Sequence, residues 1–505
     1  MVKYSCETCQ KTFTQKGHLE DHRNRKRPCK KDNTIEALVE KKVQEALTKT
    51  NVGAVKIEAP TTTIMQSNQM DYSTKTREEL IALCKEKKIK GYSGKKKDEI
   101  ILLLSPPVPV TTPLPVTTPV PVTTPVTTPV TTPVTVEIDE GHHKFVYQTM
   151  LTCIGNKRKL VSNIRSIIDD IRILLSKEKL NIVDGFAGSS VVSRELTYIS
   201  ENIYTNDMEL YSYLMAYCYL VNPSDIQKER VSHHIKIMNE IAEKGPYYEG
   251  IICKLYAPKD SKSIKEGERC FYTRENALII DTLRKYISEK VEEDIANYCL
   301  VPLLNKASIN TNTAGVFKGF YKKDNIGWFG GKGEFALSRI TKPIRLDIPV
   351  WNCSIYKAFP SNKDINVLVD ELPNNIDVMY LDPPYNQHPY GSNYFMLNVI
   401  AKNEEPIEIS NVSGIPTNWN KSNYNKHASA VESMKKLMSG GLSKSTYLLI
   451  SYNNEGIITD SDWKILCEPY NVKKYEINYD TYKGSRNLKD RSDKVIEIMY
   501  LVSKK

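Results

Sequence analysis

Four consecutive residues, Asp382, Pro383, Pro384 and Tyr385, have types and an order that suit chemistry on an aromatic amine. They follow the apolar run of residues 378–381, which is typical of a buried strand. Two prolines force a rigid exit from that strand and remove two backbone donors, so the Asp382 carboxylate and the Pro383 carbonyl remain as acceptors. Acceptors that hold both hydrogens of an adenine amine would expose the nitrogen lone pair to an electrophilic methyl group, with Tyr385 stacked on the base. A structural proline turn is the alternative for the tetrapeptide alone.

Other segments suit a nucleotide-like ligand. Residues 184–189 (Asp-Gly-Phe-Ala-Gly-Ser) follow a predicted strand and open a helix, and small residues there let a ligand approach the backbone, as in dinucleotide-binding turns. Asp207 ends the next predicted strand, where an acid either hydrogen-bonds ribose hydroxyls or caps a helix. Lys157 begins a helix upstream and suits a ligand carboxylate, with a solvated basic helix start as the alternative.

The N-terminal cysteines have the spacing of a zinc finger. Cys6 and Cys9 are separated by two residues, and His22 follows after twelve more. Because Cys29 is the next candidate ligand, we predict that Cys6, Cys9, His22 and Cys29 bind a structural Zn²⁺, with His18 as the alternative fourth ligand. Residues 1–31 are too few to fold on their own core, so the metal would supply much of the stability of this module.

The elements that must position these residues alternate along the C-terminal part of the chain. The predicted strands are residues 181–183, 202–205, 378–381 and 447–451, and helical patterns cover residues 158–175 and 208–220. This alternation predicts an α/β fold with a mainly parallel sheet covered on both faces. Ligands bind beyond the carboxyl ends of the strands in such sheets, and the acidic residues above lie at those ends.

A stretch rich in Pro, Thr and Val, residues 105–137, divides the chain, because no packed core can form from it. Before it, residues 32–73 predict a linker that contains a helix, and residues 74–104 predict two short helices around a glycine-containing turn. Residues 138–505 form the predicted catalytic body, and the basic and aromatic stretch 310–342 within it suits either nucleic-acid contact or a structural hairpin.

Composition limits the environment and the partners. The 505 residues carry a formal net charge of +10, which suits nucleic acid or an anionic membrane surface. The sequence has neither an apolar run long enough to span a bilayer nor an apolar signal-peptide core. The 11 cysteines are odd in number and scattered, which argues against a disulfide framework. We therefore expect an intracellular protein without a membrane partner.

In their order along the chain, these segments resemble the Dam-type adenine-specific DNA methyltransferases, which include many restriction-modification methylases. The matching residues are Gly155, Asn156, Lys157, residues 184–189, Asn206, Asp207, and residues 380–394, 451–456 and 482–486. The sequence departs from the family pattern at His388-Pro389, where an arginine-glutamine pair is expected. It also departs at Gly185, where many relatives have a proline before the phenylalanine.

The resemblance implies a Rossmann-like methyltransferase fold with an inserted target-recognition region at roughly residues 225–345. It implies S-adenosyl-L-methionine as the methyl donor, held by Gly155, Asn156, Lys157, Asp184, Phe186, Gly188, Asp207 and Asp382. The target adenine must leave the duplex to reach the pocket. The candidate DNA-binding residues are Tyr390, Asn393, Tyr394, Lys483 and Arg486. Core packing is the alternative for both tyrosines, and ordinary surface charge is the alternative for Lys483 and Arg486.

Residues 74–104 resemble a SAP-type two-helix DNA-binding motif, although any helical hairpin would give a similar pattern. Together with the zinc finger, such a motif would tether the body to DNA and raise the local DNA concentration. The combination resembles proteins of large eukaryotic DNA viruses, which implies action in the host nucleus or at a cytoplasmic viral replication site. The expected partner is double-stranded DNA, with a cognate restriction endonuclease and the oligomeric state left open. RNA as the substrate, or a non-catalytic tethering protein, are the alternatives.

Overall fold

The computed structural model describes residues 140–148, 151, 153–352, 354–480 and 494–505, together with Tyr4–Ser5, Thr12–Phe13 and Glu20. The chain divides into two units, residues 1–124 and 125–505. In the first unit, strand β1 (Tyr4–Ser5) pairs antiparallel with β2 (Thr12–Phe13). Several sequence predictions lie outside the described residues: the zinc ligands Cys6, Cys9, His22 and Cys29, the SAP-like hairpin, the Pro-Thr-Val linker, and Lys483 and Arg486.

The described part of the second unit contains nine strands and fourteen α-helices. Its strands are β3 (Leu180–Asp184), β4 (Ser200–Asn206), β5 (Lys322–Lys323), β6 (Ile326–Gly327), β7 (Lys357–Ser361), β8 (Ile376–Leu381), β9 (Ser445–Asn453), β10 (Tyr470–Asp480) and β11 (Lys494–Lys504). Its helices are α1 (Glu140–Tyr147), α2 (Val161–Leu174), α3 (Val191–Leu196), α4 (Leu210–Leu220), α5 (Asp225–Lys244), α6 (Ile251–Tyr256), α7 (Arg274–Lys290), α8 (Glu293–Ile309), α9 (Leu337–Thr341), α10 (Ile365–Glu371), α11 (Tyr390–Asn393), α12 (Phe395–Lys402), α13 (His427–Lys444) and α14 (Asp460–Cys467).

Within the described residues, a seven-stranded sheet has the order β10-β11-β9-β8-β3-β4-β7. Neighbours from β7 to β9 pair in parallel, whereas β11 runs antiparallel to both β9 and β10. All residues of the central strands β3 and β8 are buried, because helices cover both faces of the sheet. The prediction of an α/β fold with a mainly parallel sheet is confirmed.

The four predicted strands lie within β3, β4, β8 and β9, in the middle of the sheet. The carboxyl ends of β8, β3 and β4 therefore lie side by side, and Asp382, Asp184 and Asn206 lie at those ends. Parallel sheets of this kind bind ligands beyond the carboxyl ends of their strands.

A long insertion separates the neighbouring strands β4 and β7. After α4 it contains the helices α5 to α9 and the antiparallel hairpin of β5 and β6. It includes the stretch predicted for target recognition, residues 225–345, where α5 begins with a capping box between Ser224 and Gln227. The hairpin lies in the basic and aromatic stretch 310–342, in which Lys322 and Lys323 lie over the rings of Phe320 and Trp328. A hairpin and a role in DNA contact are compatible, and the second stays a prediction.

Among the described residues, no helix has both the length and the apolar character needed to cross a bilayer.

Candidate active site

The turn after β3 lies against the end of β8. The Gly185 backbone N–H donates a hydrogen bond to the Tyr380 carbonyl over 2.9 Å. A Cβ at Gly185 would come within 2.8 Å of a Leu381 methyl carbon, so this close approach depends on glycine. Gly188 has a φ of +52°, in the left-handed region that favours glycine. The turn that was predicted to bind a ligand is thus adjacent to the strand that carries Asp382.

Asp207 connects this turn to the start of α4. Its carboxylate accepts a hydrogen bond from the Gly188 backbone N–H at 2.8 Å and one from the Glu209 backbone N–H at 2.9 Å. Burial raises the pKa of Asp207 to about 6, although the backbone hydrogen bonds oppose that rise. Asp184 is also buried, and desolvation raises its pKa to about 7, while a hydrogen bond from Ser193 acts in the opposite direction.

These elements enclose one cleft whose empty volume is about 970 Å³, including the part open to solvent. The predicted residues that line it are Gly155, Asn156, Lys157, Asp184, Phe186, Gly188, Asp207, Asp382, Pro384 and Tyr390. The whole set predicted to hold the donor therefore faces the same space as Asp382.

Asp382 is paired with a buried lysine. The Lys157 ammonium lies 2.7 Å from an Asp382 carboxylate oxygen and 3.2 Å from a Glu497 carboxylate oxygen. Burial alone would lower the pKa of Lys157, but the two carboxylates raise it well above its ordinary value. Burial raises the pKa of Asp382 to about 6, and Lys157 opposes the rise. The predicted contact of Lys157 with the donor carboxylate stays a prediction, because its nearest partners here are protein oxygens.

Tyr385 packs next to Lys157 and behind Gly155. Its ring lies 5.4 Å from the Lys157 ammonium and meets the ring of Tyr452 edge-on at 6.2 Å. Gly155 has a φ of +75°, and a Cβ there would lie 3.0 Å from the Tyr385 hydroxyl and 3.1 Å from the Tyr390 hydroxyl. The glycine therefore allows the chain before α2 to lie directly against the two tyrosines.

Tyr390, in α11, and Tyr394, which follows that helix, both form hydrogen bonds with Ile154. The Tyr390 hydroxyl donates to the Ile154 carbonyl, and the Ile154 backbone N–H donates to the Tyr394 hydroxyl, both over 2.7 Å. Tyr394 is 1% exposed and Asn393 is 4% exposed. Core packing, the alternative for Tyr394, matches this arrangement. Tyr390 lines the cleft, and DNA contact by these three residues stays a prediction.

Two acidic residues near the site were not predicted. Glu497 lies in β11, and its only sequence signal is a charged residue within the otherwise apolar run 495–499. Glu209 lines the cleft and accepts a hydrogen bond from Asn398 at 2.6 Å, and burial raises its pKa to about 7. A glutamate that follows a strand end by a few residues gives no signal that distinguishes it from a surface residue.

The strand order, the single antiparallel strand within the described sheet, and the acidic residues at the ends of β3 and β4 define a Rossmann-like methyltransferase. Residues 154–458 match the model of the D12 class N6 adenine-specific DNA methyltransferases, which is more than half of the chain. The chain belongs to this family. It is an enzyme that methylates the exocyclic amine of adenine in DNA, and the family implies S-adenosyl-L-methionine as the methyl donor.

Curated relatives come from a virus and from bacteria. The chain is 26% identical over 321 residues to the type II methyltransferase M.CviAII of Paramecium bursaria Chlorella virus 1, with 63% of this chain and 87% of that protein covered. It is 26% identical over 362 residues to M.NlaIII of Neisseria lactamica, with 70% and 98% covered. A solved Thermoplasma acidophilum protein aligns with 73% of this chain and 98% of its own at 6% identity, with a TM-score of 0.28.

Proposed function

We propose that the cleft beyond β3, β4 and β8 is the site of methyl transfer and that Asp382 is its catalytic carboxylate. The observation that carries the proposal is that Asp382 lines the same cleft as Asp184 and Asp207. An acceptor for the adenine amine and the acids suited to the donor thus share one space. Proximity of this kind converts a two-molecule reaction into a step within one complex.

The residues of the cleft fit S-adenosyl-L-methionine. The carboxylates of Asp184 and Asp207 suit the amino group and the ribose hydroxyls of the donor. Gly188 lines the cleft, and a side chain at this position would project into open space, so the backbone there is accessible to a ligand. Gly155, Asn156, Lys157 and Phe186 complete the proposed donor site. When bound, the donor supplies an electrophilic methyl group.

The chain prepares the target amine. The adenine leaves the duplex, and its two amine N–H groups donate hydrogen bonds to the Asp382 carboxylate and the Pro383 carbonyl. Tyr385 stacks on the base. Lys157 favours the ionised form of Asp382, so Asp382 is an acceptor at neutral pH even though burial raises its pKa to about 6. Such preorganised acceptors stabilise the positive charge that develops on the nitrogen.

Expression in cells that lack adenine methylation tests the function. We expect base-modification sequencing of the cellular DNA to find N6-methyladenine at every copy of one short sequence, because the family is adenine-specific and its relatives are named as type II methyltransferases. Cells that express D382A provide the matched control and should show none. A folded wild-type protein that leaves the DNA unmodified, or that prefers RNA over duplex DNA in competition, would contradict this assignment.

The N-terminal module is proposed to bind zinc through Cys6, Cys9, His22 and Cys29. In the sequence, Cys6 and Cys9 lie between β1 and β2, whose antiparallel pairing supports a hairpin of the zinc-finger type. We expect about one zinc ion per chain by elemental analysis of protein purified without chelators. The C6S/C9S double variant should lose the metal and keep methyl transfer on short duplexes. Purified protein with no zinc would contradict the proposal.

The proposal also covers the DNA contacts outside the cleft, the partners of the enzyme and its location. Residues 74–104 act as a second DNA tether, and residues 225–345, Tyr390, Lys483 and Arg486 contact the duplex, whereas Asn393 and Tyr394 are buried. M.NlaIII and M.CviAII are named as type II methyltransferases, which supports a restriction endonuclease of the same specificity as a partner. Action on DNA places the enzyme inside the cell, at the DNA that it modifies.

A further inference from the structure

The ammonium of Lys157 is enclosed by protein oxygens. Among the described residues, its acceptors are an Asp382 carboxylate oxygen at 2.7 Å, a Glu497 carboxylate oxygen at 3.2 Å and the Gly155 carbonyl at 3.4 Å. An ammonium has three hydrogens, and the two carboxylate oxygens are its nearest acceptors, with the Gly155 carbonyl farther away. Lys157 is 5% exposed and the Glu497 side chain is fully buried. The charge of Lys157 is therefore divided between two carboxylates.

Glu497 is held rigidly in this position. It lies in β11, opposite Asn453 of β9, so the sheet fixes its backbone. The hydroxyl of Ser451, also in β9, donates a hydrogen bond to the carboxylate oxygen that faces Lys157. Burying a second carboxylate is costly, and an apolar residue in this strand would serve folding as well or better. A role in the chemistry of the site accounts for a charge that stability alone does not require.

We propose that Glu497 is a positioning residue for methyl transfer, which acts through Lys157 on Asp382. Glu497 forms an ion pair with the lysine and so neutralises part of its positive charge. Lys157 therefore neutralises the Asp382 carboxylate less, and Asp382 remains a strong hydrogen-bond acceptor for the adenine amine. The three side chains together carry one net negative charge. With an uncharged residue at 497 the net charge would be zero, and the Lys157 ammonium would interact with Asp382 alone. The inference rests on the proposed role of Asp382.

This arrangement affects the chemical step more than binding. Positive charge passes to the amine nitrogen as the methyl group is transferred, and a net negative site stabilises that charge. The E497Q substitution removes the charge and keeps the shape. We expect the rate constant of methyl transfer, measured under single-turnover conditions, to fall about 100-fold, as when one preorganised electrostatic group is lost. The dissociation constants for S-adenosyl-L-methionine and for duplex DNA should change by less than about threefold.

A matched control separates this effect from simple loss of stability. Asp377, at the opposite end of β8, is also a buried carboxylate, and it pairs with Lys177 at 2.7 Å. D377N therefore removes a buried carboxylate from the same sheet, outside the residues that line the cleft, although its partner Lys177 is half-exposed. We expect D377N to lower the melting temperature and to leave kcat within about twofold of the wild type. The E497D variant restores the charge and should recover part of the kcat that E497Q loses.

Coupling to Lys157 provides the decisive measurement. If Glu497 acts only through the lysine, E497Q should cause no further loss of kcat in a K157M background. Losses that multiply in the double variant would overturn the proposal, as would an E497Q enzyme whose kcat equals that of D377N. Should E497Q fail to fold, E497M decides, because an apolar residue in this strand is expected to fold, and a folded E497M variant with wild-type kcat also overturns the proposal. Full activity in D382A would instead remove the proposed role of Asp382.

Discussion

The D382A substitution is expected to lower kcat for adenine methylation by about 1,000-fold or more, below detection in a standard assay. Removing a single preorganised group that stabilises developing charge costs about 100- to 1,000-fold in rate. The variant would also no longer orient the amine toward the methyl group, which adds to the loss of rate. Transfer of a radiolabelled methyl group to a duplex that contains the recognition sequence, under single-turnover conditions, measures the effect.

The fold of D382A should remain intact. Lys157 keeps Glu497 as an ion-pair partner at 3.2 Å, so the substitution does not leave an isolated buried charge. Thermal unfolding and calorimetric binding of S-adenosyl-L-methionine check this point, and D377N serves as the control for loss of a buried carboxylate. A D382A enzyme that retains activity would end the proposed mechanism.

The D207N substitution is expected to weaken binding of the methyl donor by about 10- to 100-fold, because hydrogen bonds to a charged group contribute about 1.5–3 kcal/mol. The amide would keep one acceptor but lose the charge, and its N–H₂ group would face the backbone N–H of Gly188 or Glu209. Rate constants at saturating donor should change little, since Asp207 is proposed to hold the ribose and not the reacting atoms. Isothermal titration with the donor measures the change.

A helix-capping carboxylate elsewhere in the fold is the control for D207N. Asp462 accepts a hydrogen bond from the Thr459 backbone N–H at the start of α14, and it does not line the cleft. D462N should affect stability and leave donor affinity unchanged. Equal donor affinities in D207N and the wild type would reduce Asp207 to the capping role that the sequence left open.

The centre of the fold was predictable from local sequence. Strands β3 and β8 are buried on both faces, so they appear in the sequence as mostly apolar runs. Strand β3 ends in Asp184 before Gly185, and β8 is followed by Asp382 and Pro383. Strands β7 and β10 lie at the two edges of the sheet, where half-exposed positions accept lysine, glutamate and proline. Their sequences therefore have no clear strand pattern, and their pairing depends on distant parts of the chain.

Part of the site has no local signal. The acids Asp184, Asp207 and Asp382 follow strands whose ends meet in any parallel sheet, so their proximity could be predicted. The pairing of Lys157 with Glu497 depends on β11, which returns antiparallel beside β9 near the end of the chain. No sequence period connects two residues that far apart, and only the completed sheet brings them together.

The place of the long insertion has an evolutionary consequence. The chain leaves the sheet after β4 and returns to it in the neighbouring strand β7, on the far side of β3 and β8 from the antiparallel pair. Helices α7 and α8 of this insertion contribute buried residues to the same core as β3 and β8, so they are packed as part of the fold. Exposed positions of the insertion can thus change among descendants at little cost, while its packed face and the chemical centre must be inherited together.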